Sequence, residues 1–498
     1  MEENKNHTQW RRHSLFIAIF CLAFYLRWTY VFVDRLWPDE SLYAWGSLRI
    51  HENIQLMFSK EVIEFHPPLF STFLSLWHFF LPPEIASRLG TMALNCLAII
   101  GIYILGLRIN SLFVGLLSAL ALSFNPLHVS QSIHVLLDGP LSVSIIFLIF
   151  LLLRLTASNS KAYDVSVGLA ASLVILVKWS GVLVVPLIVI YYLLALDSIA
   201  PGKRWQRLSI PLSLTIFTII LLLINNWFQL GRFLPDTSAL QGQYLIKPFW
   251  YYAKNLHNII IVPFFIPFFF YGLFLCCRIK TRAVRLLLIW FSIFFIDLSL
   301  MPEKDLRYAL LVLPSILLIT AIGLEHALRR IFKREKIIFT AQAMCLVMLL
   351  LFSITIYPKT KRYLDRDARQ FVGFREAGLW IKSHLPKDGL LLASSPRIIR
   401  YYSGINFVEF GGRIKPLPAT TTELKELIQK IRGPVYLEVD YWERTQPVWV
   451  NPFPQAALNQ LALLNFEVVK IIEREIMVED RQQTEPVVFI LRRLPGNL

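Results

Sequence analysis

HPPLFSTFLSLWHFFL, residues 66–81, is the stretch on which the membrane topology turns. It is apolar but carries two prolines and two histidines, and it reaches only about two-thirds of a bilayer span. Around it lie eleven longer apolar segments, near 14–33, 87–107, 111–130, 139–156, 163–179, 181–197, 208–226, 257–277, 284–300, 308–325 and 337–356. Each approaches the roughly 20 residues needed to cross about 30 Å of hydrocarbon. The first follows Lys5, Arg11 and Arg12 and has no small-residue cleavage site behind it, so it reads as an uncleaved anchor with its N-terminus inside.

Positive charge then decides 66–81. If it does not span, eighteen basic residues, among them Arg108, Arg154, Lys203, Arg278 and Arg329, gather on the inner side, against nine in the outer loops before residue 357. Letting it span would reverse every later loop and break the positive-inside rule. The segment is therefore expected to be a surface or half-inserted helix on the outer face. The part after 357 is then extracytoplasmic and the N-terminus cytoplasmic.

Composition agrees with this reading. Of 498 residues 55% are hydrophobic and only 17% charged, with a mean hydropathy of +0.54, which excludes a purely cytosolic enzyme. The net charge of +16 belongs to membrane loops and is not a nucleic-acid footprint. All five cysteines (Cys21, Cys96, Cys276, Cys277 and Cys345) sit in apolar runs without disulfide or zinc spacing.

From 357 to 498 the chain carries 21 Lys+Arg and 16 Asp+Glu among short strand-like runs. Strands are expected at 389–393, 435–439 and 487–491, and helices at 371–384, 421–431 and 455–464, which together suggest an α/β layer. The expected fold is a mainly α, polytopic membrane protein of about eleven transmembrane helices (1–356) with a C-terminal extracytoplasmic α/β domain (357–498).

Neither a dinucleotide fingerprint nor a phosphate loop is present. Instead, ionisable residues gather toward the outer face: Asp39 and Glu40 beyond the first helix, Asp138 opening the helix after the third, Lys178 at the end of the fifth, and Lys304 and Arg307 between the ninth and tenth. Each also has a purely structural reading. Asp39 and Glu40 could be solvated loop acids, Asp138 a helix N-cap ahead of Gly139-Pro140, Lys178 a snorkelling lysine, and Lys304 and Arg307 headgroup anchors. Their coincidence on one side favours a shared site. His66, His128 and His134 are isolated and do not form a metal set.

The order and spacing of these motifs resemble the GT-C superfamily of membrane glycosyltransferases, in the branch of protein O-mannosyltransferases, lipid A aminoarabinose transferases and RgtA/B/C/D-like enzymes. PDESLYAW (38–45) resembles that family's first acidic motif, FHPPLF (65–70) its H-P-P-L segment, EIASRLG (84–90) the start of its second helix and HVLLDGPL (134–141) its second acidic motif. LVILVKWSG (173–181), KPFWYY (247–252) and EKDLRYALLVLP (303–314) are similar to its lysine-glycine, P-F-W-Y-Y and K-x-x-R-Y signatures. Trp179 and Ser180 separate Lys178 from Gly181, and Lys247 precedes Pro248 where the family often has histidine or arginine.

The resemblance implies transfer of one sugar, hexose or pentose, from a polyprenyl-phosphate donor to a lipid, glycan or protein acceptor at the outer face, with inversion. It implies Asp39 as general base with Glu40 in support, and Asp138 orienting a sugar hydroxyl or the cations. Lys178, Lys304 and Arg307 would hold the donor phosphate, and His66, Tyr251 and Tyr308 would line the substrate site. No cofactor is required, although acids from two loops could hold a divalent ion. The competing classes are a secondary transporter, which places its charges near the midplane and often shows repeated halves, and a non-catalytic scaffold of envelope polysaccharide assembly.

Overall fold

A computed structural model describes residues 2–32, 35–155, 160–194, 200–234, 247–260, 262–431, 433–442, 447–450, 455–478 and 481–494. In chain order the helices begin with α1 (Glu2–Trp28), α2 (Pro38–Glu52), α3 (Leu69–Ser75), α4 (Pro83–Ile109), α5 (Leu112–Phe124), α6 (Pro126–Ile133) and α7 (Asp138–Leu155). They continue with α8 (Lys161–Val177), α9 (Val184–Leu194), α10 (Pro201–Leu230), α11 (Tyr251–Lys254), α12 (Leu256–Ile259), α13 (Ile266–Arg278), α14 (Arg282–Leu300), α15 (Leu313–Ile331) and α16 (Glu335–Asp367). Then follow α17 (Phe374–His384), β1 (Leu390–Ala393), α18 (Pro396–Ser403), β2 (Ile414–Pro416), α19 (Thr421–Lys430), β3 (Val435–Asp440), α20 (Gln455–Leu463), β4 (Phe466–Val478) and β5 (Arg481–Arg493).

The chain divides into two compact units, Met1–Phe32 with Ile50–Leu364 and Val33–Arg49 with Asp365–Leu498. The boundary expected at 357 falls inside α16, which continues through Pro358 to Asp367. The segment carrying Asp39 and Glu40, expected in the membrane part, belongs to the second unit. Hydropathy could not show this, because a short polar loop carries no signal of where it packs.

In the first unit, each of the eleven expected spans overlaps a helix; 29–32 form turns, and residues 33, 156, 195–197 and 261 of those spans lie outside the described residues. Among the described residues α4, α10, α14 and α16 are each long and apolar enough to cross a bilayer alone; α5 and α6 add a fifth if their 60° bend lies within one span. Asn125 and Pro126 cause that bend. Pro126 starts a new helix, and the Asn125 side chain accepts from the Leu127 and His128 amides at its N-terminus. The 66–81 stretch forms only α3 and a 3-10 turn, an apolar run of Leu69–Phe79, about 16 Å of helix at 1.5 Å per residue.

Close packing rests on small residues. A Cβ on Gly272 of α13 would lie 2.0 Å from the Ile319 carbonyl of α15, and one on Gly323 would lie 2.1 Å from the Phe268 carbonyl. This glycine pair lets the two backbones touch, the device by which apolar helices associate where lipid gives no hydrophobic drive. A buried polar clasp joins α8, α9 and α10: Asp164 accepts from Arg207 Nε at 2.9 Å and from the Tyr192 hydroxyl at 2.8 Å.

The second unit holds a five-stranded sheet of order β2-β1-β3-β5-β4. β2, β1 and β3 are parallel, and β5 and β4 continue antiparallel. The parallel trio needs crossover helices, which α18 and α19 supply. Leu392, Leu424, Ile428, Leu437, Phe466 and Phe489 belong to its core. The expected strands at 389–393, 435–439 and 487–491 and the three expected helices are present, whereas β2, β4 and α18 were not anticipated.

Candidate active site

Asp138 stands in the first turn of α7, its side chain 4% exposed. The following glycine is required there, since a Cβ at Gly139 would lie 1.9 Å from Asn95 Oδ1. Helix α8 ends one residue before Lys178, whose extended backbone leads into a 3-10 turn. This break turns Lys178 Nζ onto Asp138 Oδ1 at 2.7 Å. The third member comes from the 3-10 helix Leu306–Leu311, where the N-cap Asp305 accepts from the Arg307 amide at 3.0 Å. Arg307 Nε then lies 4.0 Å from Asp138 Oδ2 and 3.7 Å from Asp305 Oδ2. Ser142 of α7 ties the two elements together by donating to the Leu310 carbonyl at 2.9 Å.

Tyr308 completes the cluster. Lys178 Nζ is 5.0 Å and Arg307 Cζ 5.4 Å from its ring centroid, so the ring quadrupole supports both cations. His66, half-buried with Nδ1 shielded from solvent, lies within the field of the same groups. Burial first and the Lys178 cation second push its imidazole down to about 3, with Asp138 opposing and Arg307 adding to the fall. A neutral imidazole can hydrogen-bond a substrate hydroxyl without adding charge.

Lys304 is placed differently. It is 4% exposed, and its ammonium donates to the Lys247 carbonyl at 3.2 Å and to the Met301 carbonyl, while Lys247 Nζ donates back to the Lys304 carbonyl at 2.5 Å. These bonds knit the 247–252 segment to the loop before the 3-10 helix. Tyr252 adds a bond from its hydroxyl to the Asp305 carbonyl at 2.8 Å, and the Tyr251 ring packs under Lys247 Nζ at 4.7 Å. Beside Arg307 opens a cavity of about 450 Å³, lined by Gln131, Ser130, Asn258, Asp305 and Lys359 among others, within the usual size of small-molecule sites. Gln131, Asn258 and Lys359 were missed from sequence; only Lys359, a cation just past the last apolar segment, left a signal.

In the second unit Asp39 occupies the first turn of α2, half-buried, where a carboxylate favours the helix N-terminus. Glu40 is fully buried, and its Oε2 accepts from the Trp37 amide at 2.7 Å, the reciprocal half of a capping box. Three anchors hold the segment on this unit: Arg35 Nε donates to the Ala368 carbonyl at 2.7 Å, Trp37 packs 5.7 Å from Phe371, and the buried Arg400 lies 5.3 Å above Trp45. Among the described residues no group of three or more His, Cys, Asp or Glu gathers with metal-ligand geometry.

Residues 65–228 match the family model of dolichyl-phosphate-mannose-protein mannosyltransferases. The structure resembles ArnT from Cupriavidus metallidurans in the apo state, at 16% identity over 97% of this chain and 98% of that one, with a TM-score of 0.65. ArnT bound to undecaprenyl phosphate matches at 15% identity, 96% and 98% coverage and the same TM-score, 0.65. The archaeal oligosaccharyltransferase AglB from Archaeoglobus fulgidus, in complex with an inhibitory peptide and a dolichol-phosphate, matches at 12% identity over 87% of this chain and 70% of its own, with a TM-score of 0.60. An "Uncharacterized protein" of Aquifex aeolicus (strain VF5) is 24% identical over 347 residues, 65% of this chain and 68% of its own. The chain therefore has the fold of ArnT and AglB.

Proposed function

We propose that this chain is a polyprenyl-phosphate-dependent glycosyltransferase of the cell (inner) membrane, moving one hexose or pentose onto a lipid, glycan or protein acceptor at the outer face, with inversion. The observation that carries the reading is the triad of Asp138, Lys178 and Arg307: two cations converge on one buried carboxylate, while the more exposed Asp305 carboxylate lies 3.7 Å from Arg307 on its other side. The two cations suit a lipid phosphate, whose negative charge grows as it departs.

In this reading the acceptor oxygen attacks the anomeric carbon as its proton passes to Asp39, and the bond from that carbon to the phosphate oxygen breaks in the same displacement. The electron pair leaves with the phosphate and is stabilised by Arg307 and Lys178. Asp138 holds the two cations at their stations, and Tyr308 and His66 line the sugar side. Lys304, bonded to backbone carbonyls, orders the loop that presents Arg307 and does not grip phosphate itself. Asp39 is assigned on the PDESLYAW resemblance and on the chemistry, with Glu40 fixing its helix.

The test is transfer by the purified chain in proteoliposomes from labelled polyprenyl-phosphate sugars, with mass spectrometry of the envelope glycans and lipids of cells bearing and lacking it. An impermeant thiol reagent should reach cysteines placed at 301–306 and in 357–498 from outside, while cysteines near 203 and 333 stay protected. Labelling at 333 from outside would remove the outer-face assignment. Unchanged donor binding after loss of both Lys178 and Arg307 would remove the phosphate site.

A further inference from the structure

A second pair of cavities lies in the first unit, away from the Asp138 cluster. One is an apolar groove of about 410 Å³ between α4, α7 and α8, lined by Leu97, Ile104, Phe147 and Leu173 among others and ending at Phe150. The other, about 180 Å³, begins at that same ring and is walled by Arg108 and Arg154. Arg108 Cζ lies 6.0 Å and Arg154 Cζ 5.2 Å from the Phe150 centroid, so one aromatic ring gathers two guanidiniums. Both arginines are exposed, and among the residues whose side chains are described no carboxylate forms an ion pair with either. Two like charges brought together without a counter-charge repel, which an anion between them would reverse.

Depth fixes the leaflet. Asp138 opens α7 and Arg154 stands in its last turn, about 24 Å further along at 1.5 Å per residue, close to a hydrocarbon thickness of about 30 Å. The arginine pocket therefore sits at the headgroup plane opposite the Asp138 cluster, and Arg108 and Arg154 fall on the side where the charge count places the inner loops. A sugar-carrier phosphate held at Asp138 cannot also occupy this pocket.

We propose that the paired cavities form a site for one anionic glycerophospholipid of that opposite leaflet, its acyl chain in the groove and its phosphate between Arg108 and Arg154. An apolar groove that shares Phe150 with a two-arginine pocket has the charge order of such a lipid, and guanidinium groups match phosphate oxygens in pairs. The site is independent of the sugar-transfer reading.

The full chain, purified in a mild detergent, is titrated with phosphatidylglycerol, with phosphatidylcholine of the same chains and with polyprenyl phosphate, and read by native mass spectrometry. One phosphatidylglycerol should be retained in preference to both others. Arg108→Gln and Arg154→Gln should each weaken retention about fivefold, as expected for roughly 1 kcal/mol per basic residue at an anionic surface. Leu97→Trp, at a position 49% exposed, should fill the groove and lose the lipid with no change in charge. Thermal unfolding without added lipid shows that each variant is folded. Equal retention of phosphatidylcholine, preference for polyprenyl phosphate, or wild-type binding by folded Arg108→Gln/Arg154→Gln would overturn the proposal.

Discussion

Lys178 reaches across 40 residues of sequence to place its ammonium 2.7 Å from Asp138, and this pair joins the end of one membrane helix to the start of another. Removing Lys178 leaves the buried Asp138 only the longer 4.0 Å contact with Arg307. Lys178→Met should therefore cost about 3 kcal/mol, the scale on which breaking a buried pair is felt. Asp138→Asn/Lys178→Met should regain much of that stability without regaining transfer, as read by thermal unfolding and turnover in the same nanodiscs. Recovery of turnover in the double variant would reduce the pair to a structural strut.

Asp39→Asn keeps the shape of the side chain and removes its basicity. Turnover should fall about 10²-fold or more, with donor binding preserved. Glu40→Ala, by contrast, removes a cap and should cost about 1 kcal/mol in stability, whereas Glu40→Gln keeps an acceptor for the Trp37 amide and should be mild. A folded Asp39→Asn protein with normal turnover would end the general-base assignment.

The two basic residues of the 303–307 loop should separate by type of defect. Arg307→Lys loses the paired donors of a guanidinium and should weaken donor binding, measured by titration with a polyprenyl-phosphate sugar. Lys304→Met frees the Lys247 and Met301 carbonyls and should lower thermal stability with little change in donor affinity once folded. The opposite pattern would return Lys304 to the phosphate.

His66 is held neutral in the folded state, its imidazole pushed down to about 3 by burial and the neighbouring cations. As pH falls below about 6.5 the unfolded chain takes up this proton first. Stability is therefore full above that pH and is lost as pH falls through the interval down to about 3. His66→Gln should flatten this part of the stability profile. An activity limb near pH 6.5 that vanishes in His66→Gln would show that the imidazole titrates in the working enzyme instead.

In the second unit, burial and the adjacent Asp440 carboxylate push Glu438 well above its usual range. The folded form favours the proton, so this contribution is complete below about 4.5 and lost as pH rises through the raised value. Glu438→Gln keeps an acceptor for the Ser395 amide, bonded at 3.2 Å, and should raise the melting temperature at pH 8 by a few degrees while changing little at pH 4. A lower melting temperature at pH 8 would mean that the charged form is the one the fold uses.

Much of this was legible because lipid imposes one-dimensional rules. Apolar runs marked the helices, and the positive-inside count set Asp138, Lys178 and Arg307 at a common depth before any geometry was known. What the chain concealed lies beyond such rules. Lys304 and Arg307 stand three residues apart in one polar loop, yet Lys304 bonds to backbone carbonyls and Arg307 turns to Asp138. β4 mixes Lys470, Glu473 and Arg474 with Val468, Ile471 and Ile472, and the register shifts after Val468 and Ile472 break the alternation that would have revealed it. Gln131 and Asn258 reach the cavity from helices whose sequence carries no motif.

Because the second unit is assembled from Val33–Arg49 and Asp365–Leu498, it has a timetable as well as a structure. The early segment leaves the ribosome long before the sheet that receives it, and the residues between take on the order of tens of seconds to make at roughly 5–20 per second. Throughout that interval Trp37 and Trp45 lack Phe371 and Arg400, against which they finally pack. Biogenesis must shelter an aromatic, acid-bearing stub until the last quarter of the chain arrives, so a truncation after the membrane helices would strand that segment and not merely delete an appendage.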